Sequence, residues 1–367
     1  PSCCEAYYKL ADAASELKQW EEAISNYRKA IQLQPDMSEL YYKLGNALQA
    51  SGLWGEAVVA YRESIDLNPN SFWSYYNLGR VLIELEQWQE AIVAYRTGIE
   101  INPDFSWSYY SIGEAYNKLG KWSESAAAYQ RAVELDPNSF GPCHNLGDAL
   151  FQLEKWSEAE AAYQRAIELN SEFFWSHYNL ALSLVKLQNF PAATLAYQRA
   201  IKLNPDFSWT YHNLGEVLLK TQQWKAAATA YHRAIELNPN LSWSYYNLGD
   251  ALTEMHDWNG AVSAYLSALQ IEPSLPKIYT KLGEVLLKRT PVDLDAAVSY
   301  YHHEMQSLHS PEFYCDLAQK FAGDNQLDAA MVLYLMALEI RPKDAAISLE
   351  LEQVLAKKRQ LGKKVLE

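Results

Sequence analysis

The amino-acid sequence predicts an all-α solenoid, because one supersecondary unit is copied along almost the whole chain. A tyrosine recurs every 34 residues eight times in succession, from Tyr27 to Tyr265. Every tryptophan falls on one of two other positions of the same interval. Self-similarity at a fixed period of this length is typical of stacked repeats. A solenoid grows by adding units and does not enlarge one core, so the 367 residues are expected to form one elongated domain.

Each unit is predicted to contain two amphipathic helices. In the copy 72–105, Tyr75, Leu78 and Leu82 recur at helical spacing, and Trp88, Ile92 and Tyr95 do so again. A proline such as Pro103 stands just past the second helix, where it stops that helix. The gap between the two helices is a short turn, so they are expected to be antiparallel. Serines stand where they are predicted to cap the next first helix, at Ser106, Ser208 and Ser242.

These residues resemble the tetratricopeptide repeat: an aromatic residue, Leu-Gly, a tyrosine, small residues and a proline at this spacing. The resemblance covers almost the whole chain and implies a right-handed superhelix whose first helices line the concave wall. About ten repeats are predicted, near 4–37, 38–71, 72–105, 106–139, 140–173, 174–207, 208–241, 242–275, 276–310 and 311–344, which together span 1–344. Residues 345–367 are predicted to form a C-terminal capping helix, with Ile347, Leu351 and Val354 facing the array.

Small residues are expected to bring the two helices of a repeat together. Gly79 on the first helix is predicted to face Ala91 on the second, and a larger side chain there would overpack the interface. The tryptophan that begins the second helix, as at Trp88, is expected to lie in the core. Repeat nine departs from the pattern, with an insertion around 290–293 and Glu304 at a small-residue position, so its interfaces are expected to be less well packed.

Composition excludes several classes of partner. The net charge of -14, with no basic stripe, argues against nucleic acid or an anionic membrane surface. No apolar run is long enough to span a bilayer, and no signal peptide is visible. Four cysteines at irregular spacing form neither a disulfide framework nor a zinc motif, which is compatible with a reducing, cytoplasmic compartment. Because the chain begins at Pro1, it is expected to be a piece of a longer protein.

No pattern in the sequence predicts catalysis, a metal or a cofactor. There is no phosphate loop, no HExxH helix and no nucleophile elbow. His302, His303, Glu304 and His309 form the one irregular cluster, which is interpreted as a degenerate repeat and not as a metal site. Cys143, His144 and His177 are interpreted as substitutions at tyrosine positions and not as a thiol-histidine pair.

The first helices carry an unusual stripe that is predicted to line a ligand groove. Three positions of the repeat contribute to it, at i, i+3 and i+4 spacing. Position 2 carries tryptophan, at Trp73, Trp107, Trp175, Trp209 and Trp243. Position 5 carries tyrosine, at Tyr76, Tyr110, Tyr178 and Tyr246, together with Tyr42 and with His144 and His212. Position 6 carries asparagine, at Asn77, Asn145, Asn179, Asn213 and Asn247.

The asparagines resemble the ladder in the tetratricopeptide superhelix of O-linked N-acetylglucosamine transferase, which implies that they hold the backbone of an extended peptide. An amide offers a donor and an acceptor together, which suits a peptide group of any sequence. As exposed groove amides they are expected to contribute little to folding. The alternative is that they are ordinary repeat residues and that the tryptophans pack against Phe105, Phe173 and Phe207 of the loops.

Carboxylates at position 9 make the predicted groove acidic. Asp12, Glu114, Asp148, Glu216, Asp250 and Glu284 stand there, and three of them have a lysine four residues later, at Lys118, Lys220 and Lys288. The resemblance implies that a lysine clamp for a C-terminal carboxylate, as in the chaperone-binding class of the family, needs lysine at position 5 and asparagine at position 9, whereas this chain has tyrosine and mostly acids there. The sequence thus predicts a non-enzymatic interaction scaffold for an extended, non-acidic protein segment. A substrate-recognition arm of a glycosyltransferase or other modifying enzyme, a glycan-binding groove and a self-assembling scaffold remain alternatives.

Overall fold

The structure, a computed structural model, describes residues 3–289, 293, 296–297, 299–301, 303, 311–323 and 326–364. Twenty helices have their bounds in this part of the chain, residues 296–297, 299–301 and 303 are also helical, and no described residue lies in a strand. The prediction of an all-α solenoid of paired helices is therefore confirmed. The helices belong to two compact units, Pro1–Leu203 and Asn204–Glu367.

The first unit contains six antiparallel helix pairs. Each pair begins with a first helix of 13 or 14 residues and closes with a second helix of 14. The bounds are α1 Cys3–Glu16, α2 Trp20–Leu33, α3 Ser38–Ala50, α4 Trp54–Leu67, α5 Phe72–Glu84, α6 Trp88–Ile101, α7 Ser106–Lys118, α8 Trp122–Leu135, α9 Phe140–Gln152, α10 Trp156–Leu169, α11 Phe174–Lys186 and α12 Phe190–Leu203.

The second unit continues the pattern and ends in a longer helix. Its described helices are α13 Ser208–Lys220, α14 Trp224–Leu237, α15 Ser242–Glu254, α16 Trp258–Ile271, α17 Ile278–Lys288, α18 Pro311–Gly323, α19 Leu327–Ile340 and α20 Ala345–Lys364. Asp344 caps α20, because its Oδ1 accepts the backbone N–H groups of Ala346 and Ile347 at 3.0 and 3.3 Å. Ile347 and Val354 of α20 are buried in the core of this unit.

The tyrosine that marks the 34-residue interval forms the centre of each repeat. From Tyr27 to Tyr265 these rings are almost completely inaccessible to solvent. The glycine of the first helix faces this ring: a Cβ on Gly79 would lie 2.7 Å from Cε1 of Tyr95. The glycine thus makes room for an aromatic ring, and Ala91, its predicted partner on the second helix, is fully buried in the same core. The tryptophan at the start of the second helix, as at Trp88, is only partly buried.

The turn between the two helices of a repeat contains a residue with a left-handed backbone conformation in each of the first eight repeats. Eight turns carry one at the same position, and only Gly52 and Gly120 are glycines there. The other six are Lys18, Glu86, Glu154, Gln188, Gln222 and His256, with φ between 57° and 59°. The following backbone N–H reaches back to close the helix, as from Asn189 to the carbonyl of Leu184 at 2.9 Å. This bond is the one that defines a Schellman helix end.

The predicted serine caps are wrong. Ser106, Ser208 and Ser242 are the first residues of their helices, and the cap position before each is held by Phe105, Phe207 and Leu241 without a side-chain bond. Ser242 instead donates to Oε2 of Glu272 at 2.6 Å.

Repeat nine is described only in part. The insertion at 290–292 and the substituted position Glu304 lie outside the described residues. Tyr301 is described and fully buried, and it packs against Gly283 of α17. Its hydroxyl has no hydrogen-bond partner among the described residues.

Candidate functional site

Five tryptophans of the first helices lie at the surface. Their exposed fractions run from 42 % to 52 %. Four of the rings meet the aromatic residue three positions later edge-on, at 5.5 Å for Trp107 and Tyr110 and at 5.3 Å for Trp209 and His212, whereas Trp243 meets Tyr246 at a tilt. We call these five tryptophans and their partners at position 5 the aromatic stripe; the tryptophans are Trp73, Trp107, Trp175, Trp209 and Trp243.

Packing accounts for part of the stripe. Trp73 contacts Phe105 with a centroid distance of 5.4 Å, as the packing alternative predicts, and yet half of its surface stays accessible. Phe173 contacts Phe140 and His144 at 5.4 and 4.9 Å. The tyrosines of the stripe are more buried than its tryptophans, and Tyr178 and Tyr246 stand beside Trp175 and Trp243 at 5.9 and 5.7 Å. The indoles are therefore the accessible part of the stripe.

The asparagines at position 6 bond to the preceding repeat. Nδ2 of Asn77 donates to Oδ1 of Asn46 at 3.0 Å, and Nδ2 of Asn179 donates to Oδ1 of Asp148 at 2.9 Å. Nδ2 of Asn145 donates to the hydroxyl of Tyr110 at 3.2 Å. No donor within the described residues reaches Oδ1 of Asn77, Asn145 or Asn179; Asn77 is buried, and Asn145 and Asn179 are half-buried. Asn213 and Asn247 hold the same position in the second unit and are half-buried.

Two aspartates at position 9 each bind the central tyrosine of their own repeat and a lysine of the next repeat. Asp12 accepts the hydroxyl of Tyr27 at 2.5 Å and Nζ of Lys43 at 3.2 Å. Asp250 accepts the hydroxyl of Tyr265 at 2.5 Å and Nζ of Lys281 at 2.7 Å.

Asp148 forms the same arrangement with neutral partners. The hydroxyl of Tyr163 donates to its Oδ1 at 2.6 Å, and the second donor is the amide of Asn179. The carboxylates that the sequence assigned to a ligand groove thus also hold the central tyrosine and the next repeat.

Glutamate at position 9 does not make this bond. The hydroxyl of Tyr231, in the repeat of Glu216, is buried without a hydrogen-bond partner among the described residues. Burial raises the pKa of Glu114 and of Glu216. Within the described chain no ion pair joins Glu114 to Lys118 or Glu216 to Lys220. Glu284 pairs with Lys320 at 3.0 Å and not with its predicted partner Lys288.

Two histidines replace tyrosine in the aromatic stripe and are equivalent. Nδ1 of His144 lies 3.0 Å from Oγ of Ser176, and Nδ1 of His212 lies 2.8 Å from Oγ of Ser244. Burial lowers the pKa of His144 and lowers that of His212 to about 4, because the charged imidazolium loses its hydration. Both rings are therefore neutral at pH 7. Cys143 bonds instead to the backbone of Ser139, which agrees with its interpretation as a substitution.

Three clefts recur between neighbouring repeats, each centred on an aspartate at position 9. The first has a volume of about 320 Å³ and is lined by Asn117, Trp122, Asp148, Phe151, Gln152, Tyr163, Asn179 and Leu182. The second, of about 290 Å³, is lined by Asp12, Ser15, Glu16, Trp20, Tyr27, Lys43, Asn46 and Ala47. The third, also about 290 Å³, is lined by Leu219, Lys220, Trp224, Asp250, Thr253, Glu254 and Lys281.

The sequence interpretation missed these clefts. Their lining joins position 9 of one repeat, position 6 of the following repeat and a tryptophan at position 17. This tryptophan belongs to the preceding repeat for Asp148 and Asp250 and to the same repeat for Asp12. That combination is written in the 34-residue register, but only the packing of neighbouring repeats shows that the positions converge.

The residues that could bind a metal ion are scattered over the described part of the chain. No group of three or more histidine, cysteine, aspartate or glutamate residues is placed there to hold a metal ion. His302, Glu304 and His309 of the irregular cluster lie outside it, and the ring of His303 contacts that of Tyr279 at 4.4 Å. The four cysteines are free. A search of the same helices for a segment of membrane-spanning length and apolarity finds none.

Comparison with known protein families gives matches along most of the chain. A family described as TPR repeat matches residues 11–52, 79–120, 113–154, 147–188 and 183–222, and tetratricopeptide repeat families match 206–273, 60–93 and 38–71. The chain belongs to the tetratricopeptide repeat family. Arrays of this repeat are protein-interaction scaffolds, and this tetratricopeptide array is one by its fold.

Comparison with solved structures finds proteins that are similar to this chain. The C-terminal part of a TPR repeat-containing protein from Cytophaga hutchinsonii is 16% identical, with 75% of this chain and 99% of that one covered and a TM-score of 0.50. YrrB, described as a TPR protein with an unusual peptide-binding site, is 22% identical, with 51% and 96% covered and a TM-score of 0.48. MamA from Desulfovibrio magneticus is 23% identical, with 47% and 97% covered and a TM-score of 0.45. Comparison with curated proteins finds no match.

Proposed function

We propose that this tetratricopeptide array holds an extended, non-acidic segment of a partner protein along the aromatic stripe. The observation that carries the proposal is the partial exposure of five equivalent indoles, which recur at one position of the first helices in repeats three, four, six, seven and eight. Tryptophan is costly to leave in water and is enriched among the residues that dominate binding energy in protein interfaces. Because neighbouring aromatic rings already orient each indole, little side-chain entropy is lost when a ligand covers it.

The asparagines supply the polar part of the proposed site. Their amide nitrogens are bonded to the preceding repeat at Asn77, Asn145 and Asn179, which fixes the direction of each side chain. The amide oxygens can then accept N–H groups from a ligand backbone. This use of the amide is narrower than the donor-and-acceptor ladder expected from the sequence. It suits an extended segment, whose backbone N–H groups are not paired internally.

The charge of the array supports a ligand that is not acidic. The chain carries a net charge of -14, and carboxylates occupy position 9 of many first helices next to the stripe. Like charges approaching such a surface are repelled, whereas neutral and basic segments are not.

A selection from random linear peptides tests the proposal. Binders are to be selected on the intact chain, and their affinities measured by calorimetry for the wild type and for a Trp73→Ser, Trp107→Ser, Trp175→Ser variant. We expect at least about a tenfold loss, because aromatic anchors carry much of the binding energy. The matched control replaces three exposed apolar residues of second helices, Val59, Val93 and Leu195, by serine.

The control variant is expected to bind within about twofold of the wild type, since it leaves the first helices unchanged. Circular dichroism establishes that both variants are folded. Peptides that bind equally to the stripe variant but lose affinity for the control variant would place the site on the second helices and contradict the proposal.

A further inference from the structure

The three clefts differ in how the central aspartate is neutralised. Asp12 pairs with Lys43 and Asp250 pairs with Lys281, and both lysines stand at position 6 of the following repeat. In the cleft of Asp148 that position is Asn179. Among the described residues no lysine or arginine lies within ion-pairing distance of Asp148, whose side chain is 35% exposed.

A second position that carries a lysine elsewhere in the array, position 13, carries neutral Gln152 in the Asp148 cleft. In two other places a lysine at position 13 lies over the tryptophan of the preceding repeat: Nζ of Lys186 is 5.6 Å from the ring of Trp156, and Nζ of Lys288 is 5.7 Å from that of Trp258. The equivalent pair in the cleft is Gln152 and Trp122, and no cation covers Trp122 in the described part of the chain. The cleft therefore keeps both groups that receive a cation elsewhere in the array and lacks both cations.

The histidine next to Asp148 does not replace them. Nε2 of His144 lies 3.4 Å from Oδ2 of Asp148, but burial lowers the pKa of this ring, so it is neutral at pH 7. The other two contacts of the carboxylate, from Tyr163 and Asn179, come from neutral donors at its Oδ1. The cleft thus holds one carboxylate, and the aromatic side chains of Trp122 and Phe151 also line it. A buried or half-buried carboxylate of this kind favours a cationic partner.

We propose that the Asp148 cleft binds the side chain of an arginine in the partner segment, with the guanidinium on Asp148 and its face against Trp122. A guanidinium is flat, stacks on indole and donates several N–H groups in one plane, so it can satisfy the carboxylate and the ring together. The side-chain amides of Asn117 and Gln152 line the same cleft and can accept the remaining N–H groups. This inference rests on the proposed function, since it adds a side-chain preference to the segment held by the stripe.

A single capped residue tests the cleft apart from the rest of the groove. The probe is N-acetyl-arginine amide, and N-acetyl-citrulline amide is its neutral counterpart of nearly the same shape. The protein is labelled with fluorotryptophan, and the fluorine resonance of Trp122 is identified from its loss in Trp122→Phe. We expect a saturable shift of this resonance with the arginine probe and an affinity lower by about tenfold or more with the citrulline probe.

Two variants introduce the lysines of the other clefts. Asn179→Lys adds the cation found at Lys43 and Lys281, and Gln152→Lys adds the one found at Lys186 and Lys288. Each variant is expected to lower the affinity for the arginine probe by at least about tenfold, because the new lysine occupies the carboxylate or the ring. Lys281→Asn is the reciprocal variant: it frees Asp250, so the resonance of Trp224 is expected to respond to the probe.

The outcomes separate this inference from the proposed function. Equal affinity for arginine and citrulline, or unchanged arginine binding in both lysine variants, would overturn the arginine site. Selected peptides that depend on the stripe tryptophans in that same case would leave the proposed function standing. Conversely, the Trp122 resonance could shift with the arginine probe while the selected peptides bind the stripe variant as tightly as the wild type. That result would support the arginine site and contradict the proposed function.

Discussion

The hydroxyl of Tyr265 donates to Oδ1 of Asp250 at 2.5 Å, although the two residues lie on different helices of the repeat. Burial raises the pKa of this tyrosine, with the neighbouring carboxylate adding to the effect. The bond gives the buried hydroxyl a charged acceptor, which is worth more than a neutral one. Asp12 with Tyr27 and Asp148 with Tyr163 repeat it.

Shortening Glu216 is expected to complete this bond in repeat seven. The hydroxyl of Tyr231 is buried there without a partner among the described residues. In Glu216→Asp the shorter carboxylate takes the place that Asp250 has in the next repeat. We predict that the free energy of unfolding rises by about 1 kcal/mol, measured by urea denaturation. The matched control Asp250→Glu is expected to lower it, and a Glu216→Asp variant no more stable than the wild type would contradict the interpretation.

The stability of the array is predicted to fall in acid because of buried histidine. Burial lowers the pKa of His212 to about 4 in the folded protein, from its ordinary value of 6.5. Between pH 6.5 and about pH 4, the unfolded chain therefore binds a proton at His212 that the folded chain does not bind. The contribution of neutral His212 is fully present above pH 6.5 and is lost as the pH falls toward 4, by at most about 3 kcal/mol.

Replacing His212 isolates this effect. The variant His212→Tyr installs the residue that Tyr246 provides at the same position of the next repeat. Urea unfolding between pH 7 and about pH 4 is expected to show a smaller loss of stability in this variant than in the wild type. His232 is exposed on α14, and its replacement by glutamine serves as the control. An unchanged pH dependence in His212→Tyr would assign the acid sensitivity to other groups.

Glycine at the turn position is predicted to stabilise the repeats that lack it. Gln188 has a φ of 59°. A side chain in the left-handed region costs about 1 kcal/mol, partly offset by the greater freedom of glycine in the unfolded chain. Gln188→Gly is expected to raise the midpoint of urea unfolding, and Gly120→Gln, at an equivalent turn with a φ of 67°, is expected to lower it. A lowered midpoint in Gln188→Gly would show that the glutamine side chain stabilises the turn by contacts of its own.

The asparagines are predicted to contribute to stability as well as to any ligand. Asn179→Ala removes a 2.9 Å bond to Asp148 and is expected to cost about 1 kcal/mol in thermal or urea unfolding. The sequence interpretation expected almost no cost, because it treated the amide as open to solvent on both sides. Asn70 is exposed in a turn, and Asn70→Ala is the control. Equal stability of the two variants would restore the original expectation.

Much of the fold could be predicted from the sequence, because the repeat imposes the same local signals many times. Tyr95 and Gly79 mark their helices by helical spacing, and Pro103 marks the end of α6. The serine caps were not predictable in the same way, since a one-residue shift turns Ser106 from a cap into a helical residue. The left-handed turns also escaped prediction where Gln188 or Glu86 replaces the glycine that normally signals them.

The candidate site could be predicted only in part. Exposure of Trp73 and its equivalents follows from their place opposite the Leu-Gly face of the helix. Which atoms of Asn179 are already bonded depends on Asp148, which stands 31 residues earlier and on another repeat. Periodicity within one helix carries no information about such a distance, so the cleft around Asp148 became visible only from the packing of neighbouring repeats.

The bond from position 6 of one repeat to position 9 of the preceding one has a consequence for how such a chain lengthens in evolution. At four junctions position 9 of one copy supplies the acceptor and position 6 of the following copy supplies the donor, as Asn46 and Asn77 do. Duplicating a stretch of 34 residues therefore creates a new junction with both partners already in register. A duplication of any other length would separate donor from acceptor and leave a polar group buried at the junction. Selection against such junctions helps to explain why the period is kept so strictly from Tyr27 to Tyr265.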